Sequence, residues 1–384
     1  MKVVLIYDRV NKIGGAEKVL QALHEIFPEA PLYTAVYNPK TAPWAKDFKV
    51  IPSFLEKFPF AKTQHEAYPW LTPLAFESFD FSEFDVVISV TSAEAKGIIT
   101  KPNTLHISYI LTPTHYLWGI EKGEEYRRFG RLAPLVKVFA LPFLFYLRVW
   151  DKIASQRPDT LLTLSKNVQK RIGKYYGRSS EVIYPPVDTE KFVPRDQPST
   201  INHQSYFLVV SRLVPYKRVD IVIEVFNRLG LPLKIVGIGI EMGRLKHKAL
   251  DNIEFLGQLT DKELLGYYQR CKALVFPQEE DFGLVPLEAQ ACGKPVIAYR
   301  AGGALETVVE ARSTSSGQGP TGEFFDHQTS ESLSEKIEKF RPGKYKPEDC
   351  RENALRFTKE IFKKKFKEFV EKEWKTYWKN IYTF

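Results

Sequence analysis

Cysteine is scarce in this sequence of 384 residues, which contains only Cys271, Cys292 and Cys350. The three are widely spaced, and none belongs to a Cys-x-x-Cys motif or a Cys/His cluster. This spacing argues against a disulfide framework and against a structural zinc site. We therefore expect the protein to work in a reducing compartment, the cytoplasm.

Long apolar runs are also missing. The most apolar stretch, residues 138–147, covers about ten residues and contains Pro142, whereas a membrane-spanning helix needs roughly twenty. Residues 2–7 lack the longer apolar region and the small-residue cleavage site of a signal peptide. We expect no transmembrane helix and interpret residues 2–7 as the first strand of the fold.

Motifs that bind divalent metals are absent as well. The sequence has no Asp-x-Asp, no pair of histidines four residues apart and no cluster of Asp and His. It therefore predicts no metal site, and no cofactor is expected. An anionic ligand would have to be neutralised by Lys, Arg and helix dipoles.

Positive charge, by contrast, is in surplus. Lys and Arg outnumber Asp and Glu by 55 to 46, which gives a net charge of +9. Such a surplus suits anionic partners such as nucleotides or phospholipid surfaces. Nucleic acid is not an expected partner, because the basic residues are dispersed and no nucleic-acid-binding motif is present.

Short β-rich runs alternate with amphipathic helical segments, which predicts parallel sheets with helical crossovers. The runs form two sets: KVVLIY, LYTAVY, FDVVISV, HISYI and LLTLS, then YFLVVS, LKIVG, IEFLG, KALVFP and PVIAY. A proline-rich polar segment, residues 184–205, separates the sets. We predict two Rossmann-like, doubly wound α/β domains, residues 1–190 and 191–357, that face a central cleft where ligand binds.

Residues 358–384 are predicted to form a C-terminal amphipathic helix. Its apolar face consists of Phe362, Phe366, Phe369, Val370, Trp374, Tyr377 and Trp378. That face would either pack back on the N-terminal domain or insert into a membrane surface. The segment from Arg131 to Trp150 presents the same two alternatives.

Two short motifs suit a ligand with phosphate groups. Gly14 and Gly15 open a helix after the first strand, which lets backbone N–H groups approach a phosphate. Arg212 and Lys217 follow the strand YFLVVS, where they could bind a pyrophosphate and offset the charge that grows on it during bond cleavage. A tight turn without ligand and a solvated basic loop are the alternatives.

The segment PQEEDFGLVPLE, residues 277–288, carries two further candidates. Glu280 follows the strand KALVFP, and Glu288 lies in the helix that Phe282 and Gly283 open. Carboxylates accept hydrogen bonds from diols, so the two could bind the transferred sugar and the ribose of a nucleotide sugar. The helix N-terminus favours the phosphates between them. A chance pair on a helix surface is the alternative.

In order and spacing, these motifs resemble the signature of glycosyltransferase family 4, a group of retaining GT-B enzymes, over nearly the whole chain. The strings VIYPPVD, VSRLVPYKRVD and GGALET are similar to the mannosyltransferase branch. That branch builds lipopolysaccharide O-antigen and related surface polysaccharides.

The resemblance implies a role for each motif. Glu280 would contact the donor sugar, while Arg212 and Lys217 would bind the diphosphate. In such enzymes the leaving phosphate accepts the acceptor's proton, so no protein nucleophile is required. The residues implied to bind the donor nucleotide are Gly14, Gly15, Gly237, Leu259, Phe282, Gly283, Leu284 and Glu288.

The chain departs from the family pattern in two places. Many members have a histidine before the Thr-Pro of the first domain, whereas this chain has Leu111. Either His115 or backbone groups near Thr112 contact the transferred sugar instead, or this subgroup does without the contact and His115 is structural. The second departure is the insert STSSGQG at residues 313–319, which we predict to be a surface loop.

These features predict a metal-independent, retaining transferase for a hexose, mannose by the branch resemblance. The donor would be GDP-mannose or a UDP-sugar, and the acceptor a lipid-linked glycan at the inner face of the cell membrane. A nucleotide-sugar 2-epimerase of the same architecture is the main alternative. A glycosidase would have no use for phosphate-binding residues, and a non-catalytic binding protein lacks a supporting motif.

Overall fold

The computed structural model describes residues 1–12, 14–64, 68–119, 133–195, 206–310 and 319–382. The chain divides into two compact units. Unit 1 contains Met1–Pro186 and Glu360–Phe384, and unit 2 contains Val187–Lys359. Each unit is an α/β structure with a parallel sheet, as the alternating pattern predicts.

The strands and helices described in the N-terminal part of unit 1 are β1 (Val3–Tyr7), α1 (Gly15–Ile26), β2 (Leu32–Thr34), β3 (Val50–Pro52), α2 (Ala61–Gln64), α3 (Leu71–Glu77), β4 (Val86–Thr91), β5 (Leu105–Ile110), α4 (His115–Trp118), α5 (Ala133–Ala154), β6 (Thr160–Thr163), α6 (Lys166–Tyr176) and β7 (Glu181–Val182). The strands form one parallel sheet in the order β3-β2-β1-β4-β5-β6-β7. β4 and β5 in its middle are buried along their whole length. Burial on both faces explains why their sequences are mostly apolar, and the buried Ser89 side chain of β4 is hydrogen-bonded to His106 and Ser108 of β5.

The elements described in unit 2 are β8 (Phe207–Val210), α7 (Val219–Leu229), β9 (Leu233–Val236), α8 (Met242–Lys248), β10 (Ile253–Gly257), α9 (Asp261–Arg270), β11 (Leu274–Phe276), α10 (Leu284–Ala291), β12 (Val296–Tyr299), α11 (Ala304–Thr307), β13 (Gly322–Phe325), α12 (Ser330–Lys339) and α13 (Pro347–Leu355). The sheet order is β10-β9-β8-β11-β12-β13. Short 3-10 helices, among them Pro215–Lys217, connect several elements. Strands β3, β7 and β13 were not predicted from the sequence pattern.

The predicted C-terminal helix is present as α14 (Lys359–Tyr382) and belongs to unit 1. Its buried apolar residues are Phe362, Phe366, Phe369 and Val370. The rings of Phe362 and Phe366 lie 6.2 Å and 5.9 Å from the ring of Tyr109 in β5. This part of the helix face is therefore used for packing within unit 1.

No helix in the described ranges is both long enough and apolar enough to cross a bilayer. Most of the segment from Arg131 to Trp150 forms α5, which contains Pro142. Residues 131 and 132 lie outside the described residues, as does the insert at 313–319 except for Gly319.

Candidate functional site

In unit 2 the strand order reverses between β8 and β11. Open α/β sheets bind ligands beyond the carboxyl ends of the strands at such a switch point. Arg212 and Lys217 lie in the loop after β8, and Glu280 lies in the loop after β11. The structure thus places three of the residues predicted to be catalytic at the switch point of unit 2.

Lys217 and Glu280 form an ion pair across this switch point. Lys217 Nζ lies 2.5 Å from Glu280 Oε1, and the two side chains are only 9% and 24% exposed. Gln278 Nε2 also donates to this carboxylate oxygen, at 3.1 Å. Because the pair is largely shielded from water, its attraction is stronger than that of a surface pair. The pair therefore joins the loops that follow β8 and β11.

Tyr216 was not predicted as a site residue, yet it contacts both cations of the first loop. Its hydroxyl accepts a hydrogen bond from Arg212 Nη2 at 2.5 Å. Its ring centroid lies 4.8 Å from Lys217 Nζ and 6.0 Å from the guanidinium carbon of Arg212. Aromatic faces attract cations at these distances. Tyr216 thus keeps Arg212 beside Lys217 while the Arg212 side chain stays exposed.

Glu288 lies on α10 and is only 6% exposed. The hydroxyl of Tyr268, on α9, donates to Glu288 Oε2 at 3.0 Å. Burial and the neighbouring Glu288 carboxylate raise the pKa of Tyr268 well above its ordinary value, so the hydroxyl remains a donor at neutral pH. Tyr268 therefore orients the Glu288 carboxylate.

The turn that begins α10 depends on Gly283, whose φ of 89° lies in the left-handed region that favours glycine. The preceding Phe282 is buried, and its ring lies 5.6 Å from that of Phe357. Leu284 is the first residue of the helix. This turn places the N-terminus of α10, with its positive dipole end, directly after the Glu280 loop.

Gly302 and Gly303, in the loop after β12, pack against the Glu280 loop. A Cβ at Gly302 would lie 2.3 Å from the Glu280 carbonyl oxygen, and a Cβ at Gly303 would lie 2.3 Å from Phe282 Cα. Gly303 N donates to the Glu280 carbonyl at 2.8 Å. In the sequence analysis the string GGALET, which begins with these two glycines, served only as evidence of the family resemblance. A glycine pair shortly after a strand could have indicated that two loops pack closely here.

Two of the residues expected to bind the donor nucleotide, Gly237 and Leu259, follow β9 and β10, which are adjacent strands. Gly237 has a φ of 134°, and a Cβ there would lie 1.8 Å from the Ser211 carbonyl oxygen. Gly237 therefore lets the loop after β9 approach the loop that carries Arg212. Leu259 lies between β10 and α9 and is packed partly against the core of unit 2.

In unit 1, Gly14 precedes α1 in an extended conformation, and Gly15 is the first helical residue. Glu17, in the first turn, is buried and accepts a hydrogen bond from Tyr7 Oη at 3.1 Å. Burial raises the pKa of Glu17. Ile13 lies outside the described residues. The glycine turn thus opens a helix as predicted, and phosphate binding there stays a prediction.

His115 is the first residue of α4 and is partly exposed, whereas Leu111 is buried. The neighbouring Tyr116 donates to Glu94 Oε1 at 2.7 Å, and Arg9 Nη2 lies 2.6 Å from Glu94 Oε2. Arg9, Glu94 and Tyr116 follow β1, β4 and β5, on both sides of the switch point between β1 and β4. Sequence reasoning missed this cluster, although polar residues just after buried strands were a signal for it.

Asp8 joins the ends of β1 and β4 at the switch point of unit 1. Its carboxylate accepts hydrogen bonds from Thr91 Oγ1 at 2.8 Å, from Ser92 N at 2.7 Å and from Ala95 N at 2.8 Å. Asp8 is itself buried. Three donors on one buried carboxylate make this end of the sheet rigid.

Over the ranges that the structure describes, no three His, Cys, Asp or Glu side chains are grouped as metal ligands would be. The cysteines Cys271, Cys292 and Cys350 are buried free thiols. Burial raises the pKa of each to about 12, which keeps them protonated.

Residues 194–357 match the family model described as glycosyl transferases group 1. The match lies in unit 2 and includes Arg212, Lys217, Glu280 and Glu288. An uncharacterized glycosyltransferase of Methanocaldococcus jannaschii is 27% identical over 219 residues, which are 56% of this chain and 58% of that protein. A GDP-mannose-dependent alpha-(1-6)-phosphatidylinositol monomannoside mannosyltransferase of Mycolicibacterium smegmatis is 30% identical over 40% of this chain and 48% of its own length. The chain thus spans about half the length of these relatives.

Solved structures resemble the chain over almost its full length. Anabaena Alr3699/HepE in complex with UDP has a TM-score of 0.69 at 18% identity and covers 97% of this chain and 100% of its own. Sucrose-phosphate synthase from Thermosynechococcus elongatus has a TM-score of 0.71 at 15% identity, and the match covers 98% of this chain and 100% of the synthase chain. The fold is GT-B. At these identities the likeness shows the fold alone.

Proposed function

We propose that the protein is a retaining glycosyltransferase that uses a nucleoside-diphosphate sugar as donor. The observation that carries the proposal is the cluster of Arg212, Lys217 and Glu280 at the switch point of unit 2, inside the region that matches glycosyl transferases group 1. Two cations beside one carboxylate suit a ligand that has a diphosphate next to a sugar.

Each side chain then has a defined task. Arg212 and Lys217 bind the diphosphate and offset the negative charge that grows on it as the glycosidic bond to phosphate breaks. Glu280 accepts hydrogen bonds from hydroxyls of the transferred sugar and positions its anomeric carbon. The leaving phosphate takes the proton of the acceptor hydroxyl, on the face that the phosphate vacates. Glu288, oriented by Tyr268, accepts hydrogen bonds from the ribose.

The donor that we propose is GDP-mannose, and the transferred hexose is mannose. Two relatives, from Mycolicibacterium smegmatis and Corynebacterium glutamicum, carry GDP-mannose-dependent mannosyltransferase names. A UDP-sugar is the other candidate, because the Anabaena neighbour was crystallised with UDP. Thermal-shift measurements with each donor separate the two, since a ligand at a hundred times its Kd adds about 2.7 kcal/mol to stability.

The acceptor that we propose is a lipid-linked glycan of surface-polysaccharide synthesis, reached at the cytoplasmic face of the membrane. An O-antigen chain mannosyltransferase of Salmonella typhimurium is 29% identical over 169 residues, which supports this choice. We further propose that the reaction needs no metal, because Arg212 and Lys217 already supply positive charge at the diphosphate.

The decisive test is the removal of either cation. Arg212→Ala and Lys217→Ala should weaken binding of the nucleoside diphosphate and lower turnover by about a hundredfold or more, because each charge faces the transition state. Lys339→Ala is the matched control, since Lys339 is an exposed cation paired with Glu335 on α12. Turnover close to wild type in both site variants would overturn the proposal.

A further inference from the structure

The outer side of α5 exposes a stripe of large apolar side chains. Leu141, Phe145, Tyr146, Val149 and Ile153 are between 44% and 67% exposed. The opposite side of the helix is buried through Leu147, Trp150 and Ala154. A helix at 3.6 residues per turn places Leu141, Phe145 and Val149 opposite the buried set, with Tyr146 and Ile153 at the border between the two sides. The exposed stripe is therefore a true face of the folded unit.

The apolar surface continues onto α3 and the turn before it. Trp70 and Leu74 are 47% and 53% exposed. Ring contacts connect the segments: Trp70 lies 5.7 Å from Phe143 of α5 and 6.2 Å from Tyr68. Phe58 lies 5.5 Å from Tyr68 and extends this surface. We call it the α3–α5 face; its exposed members are Phe58, Trp70, Leu74, Leu141, Phe145, Tyr146, Val149 and Ile153.

The charged residues around the α3–α5 face are predominantly basic. The carboxylates in residues 54–64, 68–77 and 141–154 are all paired: Glu56 with Lys62, Glu77 with Arg157, and Asp151 with Lys96. Lys57, Arg148 and Lys152 are exposed. Among the described residues, none of these three has a carboxylate within ion-pair distance. Within the described part of the chain, the face thus combines apolar rings with positive charge that no carboxylate pairs.

We propose that the α3–α5 face docks on the surface of an anionic lipid bilayer. Trp and Tyr favour the membrane interface, where one end of the ring is apolar and the other meets water. Lys and Arg beside them are attracted by anionic headgroups. Aromatic residues also suit a protein interface, but the exposed Lys57 and Lys152 beside them favour anionic headgroups, because lysine is depleted at protein interfaces. The proposal deepens the proposed function, because a lipid-linked acceptor would lie at such a surface.

The alternative membrane contact through α14 is disfavoured by packing. Phe362, Phe366, Phe369 and Val370 are buried within unit 1. Insertion of that face would require α14 to leave the sheet, whereas the α3–α5 face is exposed without any rearrangement. The sequence pattern offered the same two alternatives for α5 and α14, whereas the structure favours α5 as the membrane contact.

The test is co-sedimentation with phosphatidylcholine vesicles that contain or lack phosphatidylglycerol. We expect binding only with phosphatidylglycerol at low salt, and weaker binding as salt rises. Phe145→Ser together with Val149→Ser should weaken vesicle binding at least about tenfold. Lys152→Gln should weaken it about fivefold. Leu250→Ser, which changes an exposed apolar residue of unit 2, should bind like wild type.

Three results would overturn the proposal. One is the absence of binding to anionic vesicles at low salt. Another is unchanged binding by the Phe145/Val149 double variant, with its melting temperature equal to that of wild type. The third is a wild-type dimer in sedimentation velocity that the double variant abolishes, because the face would then be a contact between copies of the chain. No sugar donor is used, so the result is independent of the Arg212 and Lys217 test.

Discussion

At the scale of single residues, the Lys217 ammonium contacts the Glu280 carboxylate and the ring of Tyr216. Glu280 therefore compensates the lysine charge before any anion is bound. When the diphosphate enters, the proposed function requires Lys217 to serve both the phosphate and Glu280. This coupling connects donor binding to the orientation of the residue that contacts the sugar.

The two glutamates should consequently differ in what their loss does. Glu280→Gln should not weaken affinity for the bare nucleoside diphosphate, because it removes no contact with the nucleotide and frees Lys217 from its carboxylate partner. It should strongly reduce transfer, because the Glu280 carboxylate positions the sugar. Glu288→Gln should weaken binding of the bare nucleoside diphosphate by about 1 to 3 kcal/mol, since a charge-assisted hydrogen bond to the ribose is lost. Calorimetric titration beside single-turnover rates measures both effects.

Glu335→Gln is the control for these two variants, because Glu335 is an exposed carboxylate paired with Lys339. If Glu280→Gln lost nucleotide affinity while Glu288→Gln kept it, the two proposed roles would have to be exchanged.

At the scale of secondary-structure elements, the strands that the sequence pattern failed to predict lie at the edges of the sheets. Strands such as β4 and β5 were predicted because both of their faces are covered, which gives mostly apolar sequences of six residues. The strands that were missed, β3, β7 and β13, all lie at sheet edges and have at most four residues. The equally short β2 and β11 were predicted because they lie within longer apolar runs, LYTAVY and KALVFP, which the missed strands lack.

The same limit applies to the candidate site. Arg212, Lys217 and Glu280 could be nominated because each follows a strand. The Lys217–Glu280 contact joins residues 63 positions apart, and the Tyr268–Glu288 contact joins residues 20 apart. Both depend on how loops and helices pack, which motif spacing does not contain.

The loop element after β12 provides a further prediction. The Gly302→Ala variant should have a free energy of unfolding about 1 to 3 kcal/mol below that of wild type and should lose transfer activity. The reason is that Gly302 has a φ of 61° and that a Cβ there would lie 2.3 Å from the Glu280 carbonyl oxygen. Chemical denaturation and transfer rates measure the two losses. Gly243→Ala is the control, because a Cβ there meets nothing within 4 Å. A Gly302→Ala variant with wild-type stability and activity would contradict the packing role.

At the scale of the whole molecule, positive charge is available for two purposes. The chain carries a net charge of +9. Arg212 and Lys217 place part of it at the switch point of unit 2, while Arg148 and Lys152 place part of it beside the apolar α3–α5 face of unit 1. In the proposed function, the first set meets the diphosphate of the donor and the second meets the anionic surface where the acceptor lies.

This division of charge leads to a prediction about metal ions. Transfer should persist in excess EDTA, because Arg212 and Lys217 neutralise the diphosphate that a divalent ion would otherwise neutralise. Turnover measured with EDTA and with added Mg²⁺ or Mn²⁺ checks this in the wild-type protein. The Lys217→Ala variant provides a more specific test. If protein cations neutralise the diphosphate, added Mg²⁺ should raise the turnover of the variant while leaving that of wild type unchanged. Complete loss of wild-type activity in EDTA, restored by either ion, would show that the reaction needs a metal.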